Sequence, residues 1–456
     1  MSAGVGGCYP FIHAGKDAIL RELSDMAHGG DFDVIVSGAG PAGLAAAALC
    51  AEAGLKTAIV TGPVDPFEKR HDPRTIALMR PSMRLLEHLA LFDESLKALS
   101  NPLRKLRLVD DTGGLFSAPE TVFDARDAGW EAFGWNIPLE DLHPAFARKA
   151  KELGVVFIRD SASGIAPDRR RLVRLQLASG DEVAAPVVIA ADGRASPVRE
   201  SAGFHMLQHD YDQVAVGCFF SHSADHEDMS TEYHKPDGPF TTVPMPQRRS
   251  SLVWMMRPAA AKEVMALPAD ELARRIQVES HGDLGRIGDV TAPQSFPMQT
   301  MTAQDFARER IILVGEAAHA VPPIGAQGLN MSLRDAALAA ELIGDAHAFG
   351  DDPGSEEICR TYDRLRRRDV FVRKAAIHLV NTALLTDFPP LQAMRAGVIA
   401  AAAALPWVRD IVMRQGLAPG GESLPRIMRE DPAGASPAPS AQENPAMAES
   451  APSHRT

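Results

Sequence analysis

The sequence predicts an α/β protein in which a discontinuous nucleotide-binding domain carries an inserted, mainly antiparallel α+β domain and is followed by a C-terminal helical region. Three observations predict it. Short apolar, mostly β-branched runs at Val34-Ile35-Val36, Ala58-Ile59-Val60, Val187-Val188-Ile189 and Ile311-Ile312-Leu313-Val314 read as parallel strands buried on both faces. Between the first two, the alanine-rich stretch Ala42 to Ala53 ends near Gly54 and reads as a helix packed closely on the sheet, completing a βαβ unit. From about Gly203 to Pro297 the pattern changes to alternation bounded by Pro and Gly, as in Val214 to Phe219 and Ser251-Leu252-Val253-Trp254. Because a buried-strand run resumes at Ile311, the second domain is inserted into the first rather than appended to it.

In chain order, residues 1–30 form an N-terminal extension. Residues 31–105, 140–203 and 300–350 are the three pieces of the nucleotide domain, and 106–139 and 204–299 are two pieces of the inserted domain. Residues 351–425 are C-terminal helices, with helical periodicity through Leu379, Leu384 and Leu385. Residues 426–456, rich in Pro, Ala, Ser and Glu, offer too little apolar surface to offset chain entropy and are expected to be disordered.

Bulk properties narrow the class. The 456 residues exceed one compact domain, and a net charge of −12, from 47 Lys+Arg against 59 Asp+Glu, gives no electrostatic reason to approach nucleic acid. Cys8, Cys50, Cys218 and Cys359 are too scattered for a metal site or a redox dithiol; they read as reduced thiols, with a cytoplasmic compartment as the expectation. The longest apolar run, Ala396 to Val408, contains Pro406 and falls short of the roughly 20 residues a spanning helix needs. Residues 1 to 25 lack the features of an export signal, and Met26 reads as the start of the natural protein, against the alternative of a genuine helix around Asp17 to Leu23.

Gly38-Ala39-Gly40-Pro41-Ala42-Gly43 sits between the first strand and the alanine-rich helix. In this Rossmann-like setting Gly38 permits the tight turn, Gly40 the close approach of a phosphate and Gly43 the contact of helix with strand, so that backbone amides face a pyrophosphate. An acidic residue is expected at the end of the second strand to hold the ribose hydroxyls; Thr61 or Gly62 stands there instead, and Glu68 is a downstream substitute.

Two further segments make the pattern specific. Asp192-Gly193-Arg194-Ala195-Ser196-Pro197-Val198-Arg199 follows a strand, and Gly315-Glu316-Ala317-Ala318-His319-Ala320-Val321-Pro322-Pro323-Ile324-Gly325-Ala326-Gln327-Gly328-Leu329-Asn330 combines an irregular loop with a helix start. With the glycine fingerprint, they resemble the FAD-dependent aromatic-ring hydroxylases typified by 4-hydroxybenzoate hydroxylase. The resemblance implies FAD as cofactor, with Asp192 and Gly193 near the pyrophosphate and the reducing nucleotide. It places Gly315 and Glu316, where the family usually has Asp, at the ribityl chain, and Gly325, Gln327, Gly328, Leu329 and Asn330 at the flavin, with Pro322, Pro323 and Gly328 lining the ring. A helix beginning at Gly328 would support negative charge on the pyrimidine side of reduced flavin. Arg74, in Asp72-Pro73-Arg74-Thr75, resembles the arginine that approaches the cofactor, with Arg70 as fallback. His319 supports the loop, and no catalytic side chain is required.

Phe133-Gly134-Trp135-Asn136-Ile137-Pro138, Leu333-Arg334-Asp335 and Gly238-Pro239 followed by Ser251 to Trp254 bring the chain nearest the ubiquinone-biosynthesis hydroxylases, over about Asp31 to Gly416. The implied function is hydroxylation of a polyprenylated phenol or quinone precursor through a flavin hydroperoxide, with O2 and with NAD(P)H or a ferredoxin-like donor. The implied partners extend to other ubiquinone-biosynthesis proteins and to the cytoplasmic face of the inner membrane, which Leu384, Leu385, Phe388, Leu405 and Trp407 could touch. Two rivals are hydroxylation of a small soluble phenol or secondary metabolite, and a non-catalytic assembly protein of the quinone pathway. His222, His226 and His234 lack a completing ligand set for a metal, and the arginine run Arg364 to Arg368 reads as a solvated helix face.

Overall fold

A computed structural model of the chain describes residues 32–113, 118–167, 171–322 and 326–385, together with 397, 404, 405, 413 and 424–430. Five parallel strands, β1 (Val34–Ser37), β2 (Thr57–Val60), β3 (Val156–Ile158), β4 (Val187–Ala190) and β5 (Ile311–Leu313), form the central sheet. Their order is β5-β4-β1-β2-β3, with Ala307–Arg308 antiparallel on the β5 edge. Every residue of β1, β2, β4 and β5 is buried, which is why these strands read as unbroken apolar runs. β3 escaped the sequence pattern because it is a three-residue edge strand with an exposed Val156 and a half-buried Phe157.

Helix α1 (Pro41–Glu52) is buried from Gly43 through Cys50. Its alanines let it lie against the sheet, with helices α2 (Arg80–His88), α3 (Leu139–Glu152), α4 (Gln327–Phe349) and α5 (Glu356–Leu385) completing this half of the molecule. α1 packs on both α3 and α4. The two strand motifs of the inserted domain appear as Met206–His222 and Arg249–Met256, antiparallel neighbours in one large sheet. The sheet runs His319–Ala320, Gln294–Ala303, Met206–His222, Arg249–Met256, Gly238–Met245, Met229–Lys235, Lys105–Asp110 and Thr121–Asp124. One of its pairs, 229–235 with 105–110, is parallel. A separate core built on Val216, Phe220, Phe240, Leu252 and Trp254 fills the space between this sheet and the helices Pro258–Met265 and Ala269–Glu279.

Three placements differ from the boundaries read in the sequence. Gly134–Pro138, assigned to the inserted domain, instead pairs with Thr75–Met79 and Asn101–Leu103 from the first nucleotide-domain segment. The approach is so close that a Cβ on Gly134 would stand 2.0 Å from the Leu78 carbonyl oxygen. His319–Ala320, inside the third glycine-rich motif, bonds to Met301 and Thr302 and so belongs to the inserted sheet. Residues 426–430, assigned to a disordered tail, continue a short ordered segment in which Leu424 and Met428 are buried and Arg426–Met428 make a 3-10 turn. The arginine run is also divided: Arg364, Arg367 and Arg368 are exposed, whereas Arg366 is buried, because α5 turns that one position toward α4. Among the described residues no helix is long and apolar enough to cross a membrane. Phe388 and Trp407 lie outside the described residues, as do Met26 and the helix weighed around Asp17 to Leu23.

Candidate cofactor site

The turn from β1 into α1 has the geometry that its glycines require. Gly38 has φ +104°, and a Cβ there would lie 2.4 Å from the Ala191 carbonyl oxygen; a Cβ on Gly43 would lie 2.0 Å from the Gly38 carbonyl oxygen. By contrast, nothing stands within 4 Å of a Cβ on Gly40, so that side of the turn is open to a ligand. α1 starts with Pro41 in its first turn, followed by Ala42, with no side-chain cap and no acidic residue there. Its first N–H groups are therefore left for an anion, as a pyrophosphate needs. One brace was not legible in the sequence: from α3, the His143 ring nitrogen Nε2 contacts the Ala39 carbonyl oxygen at 2.7 Å. The two residues are 104 positions apart, and no local pattern marks the histidine.

The Asp192-Gly193 turn packs directly on this loop. Asp192 Oδ2 accepts from the Val198 amide at 3.3 Å and the Ser37 hydroxyl at 3.5 Å, while its Oδ1 is buried without a partner. Burial pushes the carboxyl up from its ordinary value. Gly193 takes φ +84°, and Ser196 caps the short helix Pro197–Ser201 by accepting from the Arg199 amide at 3.0 Å, so the capping role exists alongside the motif. Arg199, itself buried, donates to the Arg194 carbonyl at 2.7 Å and the Ala317 carbonyl at 3.2 Å, tying this turn to the third motif.

In that motif Gly315 takes φ +64° and donates its N–H to Asp335 at 2.9 Å. Glu316 is exposed and pairs with Arg194 at 3.3 Å. Arg74 forms two bonds to Asp72, at 2.8 and 2.6 Å, and stacks 4.9 Å over Phe296. The bond to Asp72, with the added charges of Asp72 and Glu316, raises its pKa. Arg74, Arg194 and Glu316, drawn from all three segments, thus form one electrostatic group. Arg70 is exposed and lies 4.0 Å from Glu68.

Pro322 is buried; Pro323 and Gly325 lie outside the described residues. Ala326 takes the left-handed conformation, φ 55°, and α4 then begins at Gln327 with no side-chain cap and no acid in its first turn. Nothing lies within 4 Å of a Cβ on Gly328, and Leu329 packs on the main core. Gln327 is buried and accepts from Arg373 at 3.2 Å. Open glycine edges at Gly40 and Gly328, each beside an uncapped helix start, and the orphaned Asp192 oxygen fit a ligand with a diphosphate at one end and an anionic ring at the other.

At two of the cofactor-binding assignments the side chain is engaged within the protein. The Asn330 carboxamide is saturated by protein. Its oxygen accepts from the Met79 amide at 2.9 Å and the Ser82 hydroxyl at 2.6 Å, while its nitrogen donates to Ala77 at 2.8 Å and Ala326 at 2.7 Å. It therefore clamps α4 to the neighbouring strand and helix, leaving only its backbone for a cofactor. Thr61 is buried, and its hydroxyl donates to the Gly62 carbonyl at 3.0 Å, with Ile158 O at 3.4 Å, so the side chain keeps only acceptor capacity for a ribose. His319 sits as expected for a loop support: it is buried, with Nε2 2.7 Å from Asp335.

Other candidates do not compete. His222 bonds Ser250 at 3.0 Å, His226 bonds Met245 at 2.8 Å and His234 bonds Glu232 at 2.8 Å. Among the described residues no cluster of His, Cys, Asp or Glu could hold a metal. A cavity of about 820 Å³ lined by Arg104, Lys105, Asp124 and Asp228 shares no residue with the glycine motifs, and among its cations Lys105 pairs with Glu227 at 2.8 Å and Arg126 with Asp124 at 2.6 Å.

The chain is similar to several known proteins. The FAD binding domain family matches residues 31–373. The ubiquinone hydroxylase UbiL of Rhodospirillum rubrum is 30% identical over 411 residues, covering 88% of this chain and 93% of that protein. Protoasukamycin 4-monooxygenase of Streptomyces nodosus subsp. asukaensis is 30% identical, covering 75% and 85% respectively. The crystal structure of p-nitrophenol 4-monooxygenase PnpA from Pseudomonas putida shares the fold with a TM-score of 0.68 at 19% identity, covering 85% of this chain and 98% of that one.

Proposed function

Because the chain belongs to the FAD-binding-domain family of flavin-dependent monooxygenases, we propose that it hydroxylates the aromatic ring of a polyprenylated phenol in ubiquinone biosynthesis. FAD is its cofactor, and an aromatic substrate, an NAD(P)H-type donor and O2 are its reactants at the general level of the family. The observation that carries the substrate assignment is likeness to a ubiquinone hydroxylase over 88% of the chain, a span that includes the inserted sheet as well as the cofactor motifs.

When bound, FAD supplies the activation of O2 that delivers one oxygen atom to an electron-rich ring, while the second leaves as water using two electrons from the donor. The chain's own contributions are positional and electrostatic. The Gly38 to Gly43 turn would hold the diphosphate, and Glu316, held by Arg194, would bind the ribityl hydroxyls. The uncapped α4 start at Gln327 and Gly328 would support negative charge at the pyrimidine edge, beside Pro322. Exclusion of water from this site protects the reactive oxygen from loss. Reduction by NADH, NADPH or a ferredoxin-like protein, contact with other proteins of the quinone pathway and residence at the cytoplasmic face of the inner membrane belong to the same proposal.

The test is deletion in the native organism with mass spectrometry of the quinone pool. Accumulation of a prenylated precursor lacking one hydroxyl is expected, and an unchanged pool refutes the assignment. A second reading, hydroxylation of a soluble tailoring metabolite, is favoured by the likeness to protoasukamycin 4-monooxygenase. Stimulation of NAD(P)H oxidation by soluble phenols, with none by prenylated ones, would select it.

A further inference from the structure

Beneath the flavin-loop motif, α4 and α5 enclose three guanidinium groups and two carboxylates, from Arg334, Arg366, Arg373, Asp335 and Asp369. Asp335 is consumed by the Gly315 amide at 2.9 Å, His319 at 2.7 Å and Arg366 at 2.6 Å. Asp369 is consumed by Arg366 at 2.8 Å and Arg373 at 2.9 Å. Arg334, only 2% exposed, is left 3.6 Å from Asp369, too far for a hydrogen bond. Its Nε and Nη1 are buried with no partner. Among the described residues this cluster sets three cations against two anions, an excess of one positive charge. Burial, reinforced by Arg373, lowers the Arg334 pKa to about 9, so the group still carries its proton at neutral pH. Buried charges are ordinarily paired, and buried donors ordinarily bonded.

We propose that Arg334 is the floor of a binding site for a small monovalent anion, a halide or a carboxylate, which supplies the missing charge and accepts from the two free donors. The site is separate from the expected cofactor contacts: Arg334 lies six positions after Gly328 on α4, roughly 9 Å along the helix axis. It does not depend on which phenol the enzyme accepts.

The FAD-loaded full-length protein is titrated with sodium bromide and, separately, sodium acetate at constant ionic strength, with thermal unfolding as readout, and crystals grown with bromide are examined by anomalous diffraction. A saturable rise in Tm with at least one of the two anions, lost or weakened about tenfold in Arg334→Met, supports the site. Saturation by bromide alone identifies a halide site, and by acetate alone a carboxylate site. An anomalous peak within hydrogen-bonding distance of Arg334 Nε or Nη1 supports it directly and remains decisive if the variant fails to fold. The absence of saturation with either anion in the wild type, an equal response in Arg334→Met, or a crystal structure in which carbonyl groups of residues 386–423 occupy the Arg334 donors overturns it.

Discussion

At the scale of the residue, the three fingerprint glycines separate into two kinds. Gly38 and Gly43 are held by backbone contacts, whereas Gly40 faces open space. Gly43→Ala should therefore destabilise the apoprotein by about 3 kcal/mol or prevent folding, since the neighbour it meets is a carbonyl that cannot move aside. Gly40→Ala should leave the apoprotein's urea midpoint unchanged and weaken FAD binding about tenfold or more, as read by flavin fluorescence quenching. Equal effects of the two on apoprotein stability would contradict this division. Asn330→Ala strips four hydrogen bonds and should cost about 3 kcal/mol, because the Met79 amide and the Ala77 carbonyl lose a buried partner. The motif marks Asn330 as part of the site, but only the folded chain shows that its side chain fastens helix to strand, since Met79 is 251 residues away.

At the scale of the element, Asp335 of α4 fastens the flavin-loop motif to α5, and the segment 424–430 fastens α2 to α4. Asp335 links the Gly315 amide, His319 and Arg366. Burial alone would raise its pKa, but the charges of His319 and Arg366 hold it below its ordinary value. Its contribution to stability is therefore complete above the unfolded pKa of about 3.9 and is lost as pH falls through the lower native value. Asp335→Asn should cost about 3 to 5 kcal/mol at neutral pH by leaving Arg366 with a lost partner, and should flatten the acid limb of a stability-against-pH curve. A variant curve parallel to that of the wild type would contradict the linkage. Residues 424–430 act as a strap across α2 and α4. Glu430 reaches Arg84 at 2.9 Å and Arg426 reaches Asp345 at 2.6 Å, while Met428 is fully buried. Met428→Ala should cost about 3 kcal/mol in urea unfolding, and Arg426→Ala under about 1 kcal/mol, because the first opens a cavity and the second removes only exposed ion pairs.

At the scale of the whole molecule, the cofactor motifs converge from three stretches of chain separated by the inserted sheet, and the third motif also supplies the strand His319–Ala320 to that sheet. Ligand binding should therefore stabilise both parts together. Saturating FAD at about 100 times its Kd should add about 2.7 kcal/mol to the unfolding free energy of the apoprotein, with the flavin-binding and inserted domains melting in one shared transition. A calorimetric trace in which only one of two transitions moves with FAD would show that the domains respond independently.

The sequence by itself determined the parallel sheet, the alanine helix, the inserted, mainly antiparallel sheet and the glycine turn between the first strand and its helix. These depend on short-range regularities: burial on both faces makes an unbroken apolar run, a half-buried sheet makes alternation, and a tight turn against backbone demands glycine. Only the tertiary structure decided that Gly134–Pro138 pairs with Thr75–Met79, that His143 braces the first loop, that Arg366 turns inward from a run of exposed arginines, and that Met428 returns to the core. Each of these is a meeting of groups from separate elements, from 31 positions apart for Arg366 and Asp335 to 344 for Met428 and Arg84, and such a contact leaves no local periodicity for the eye to find.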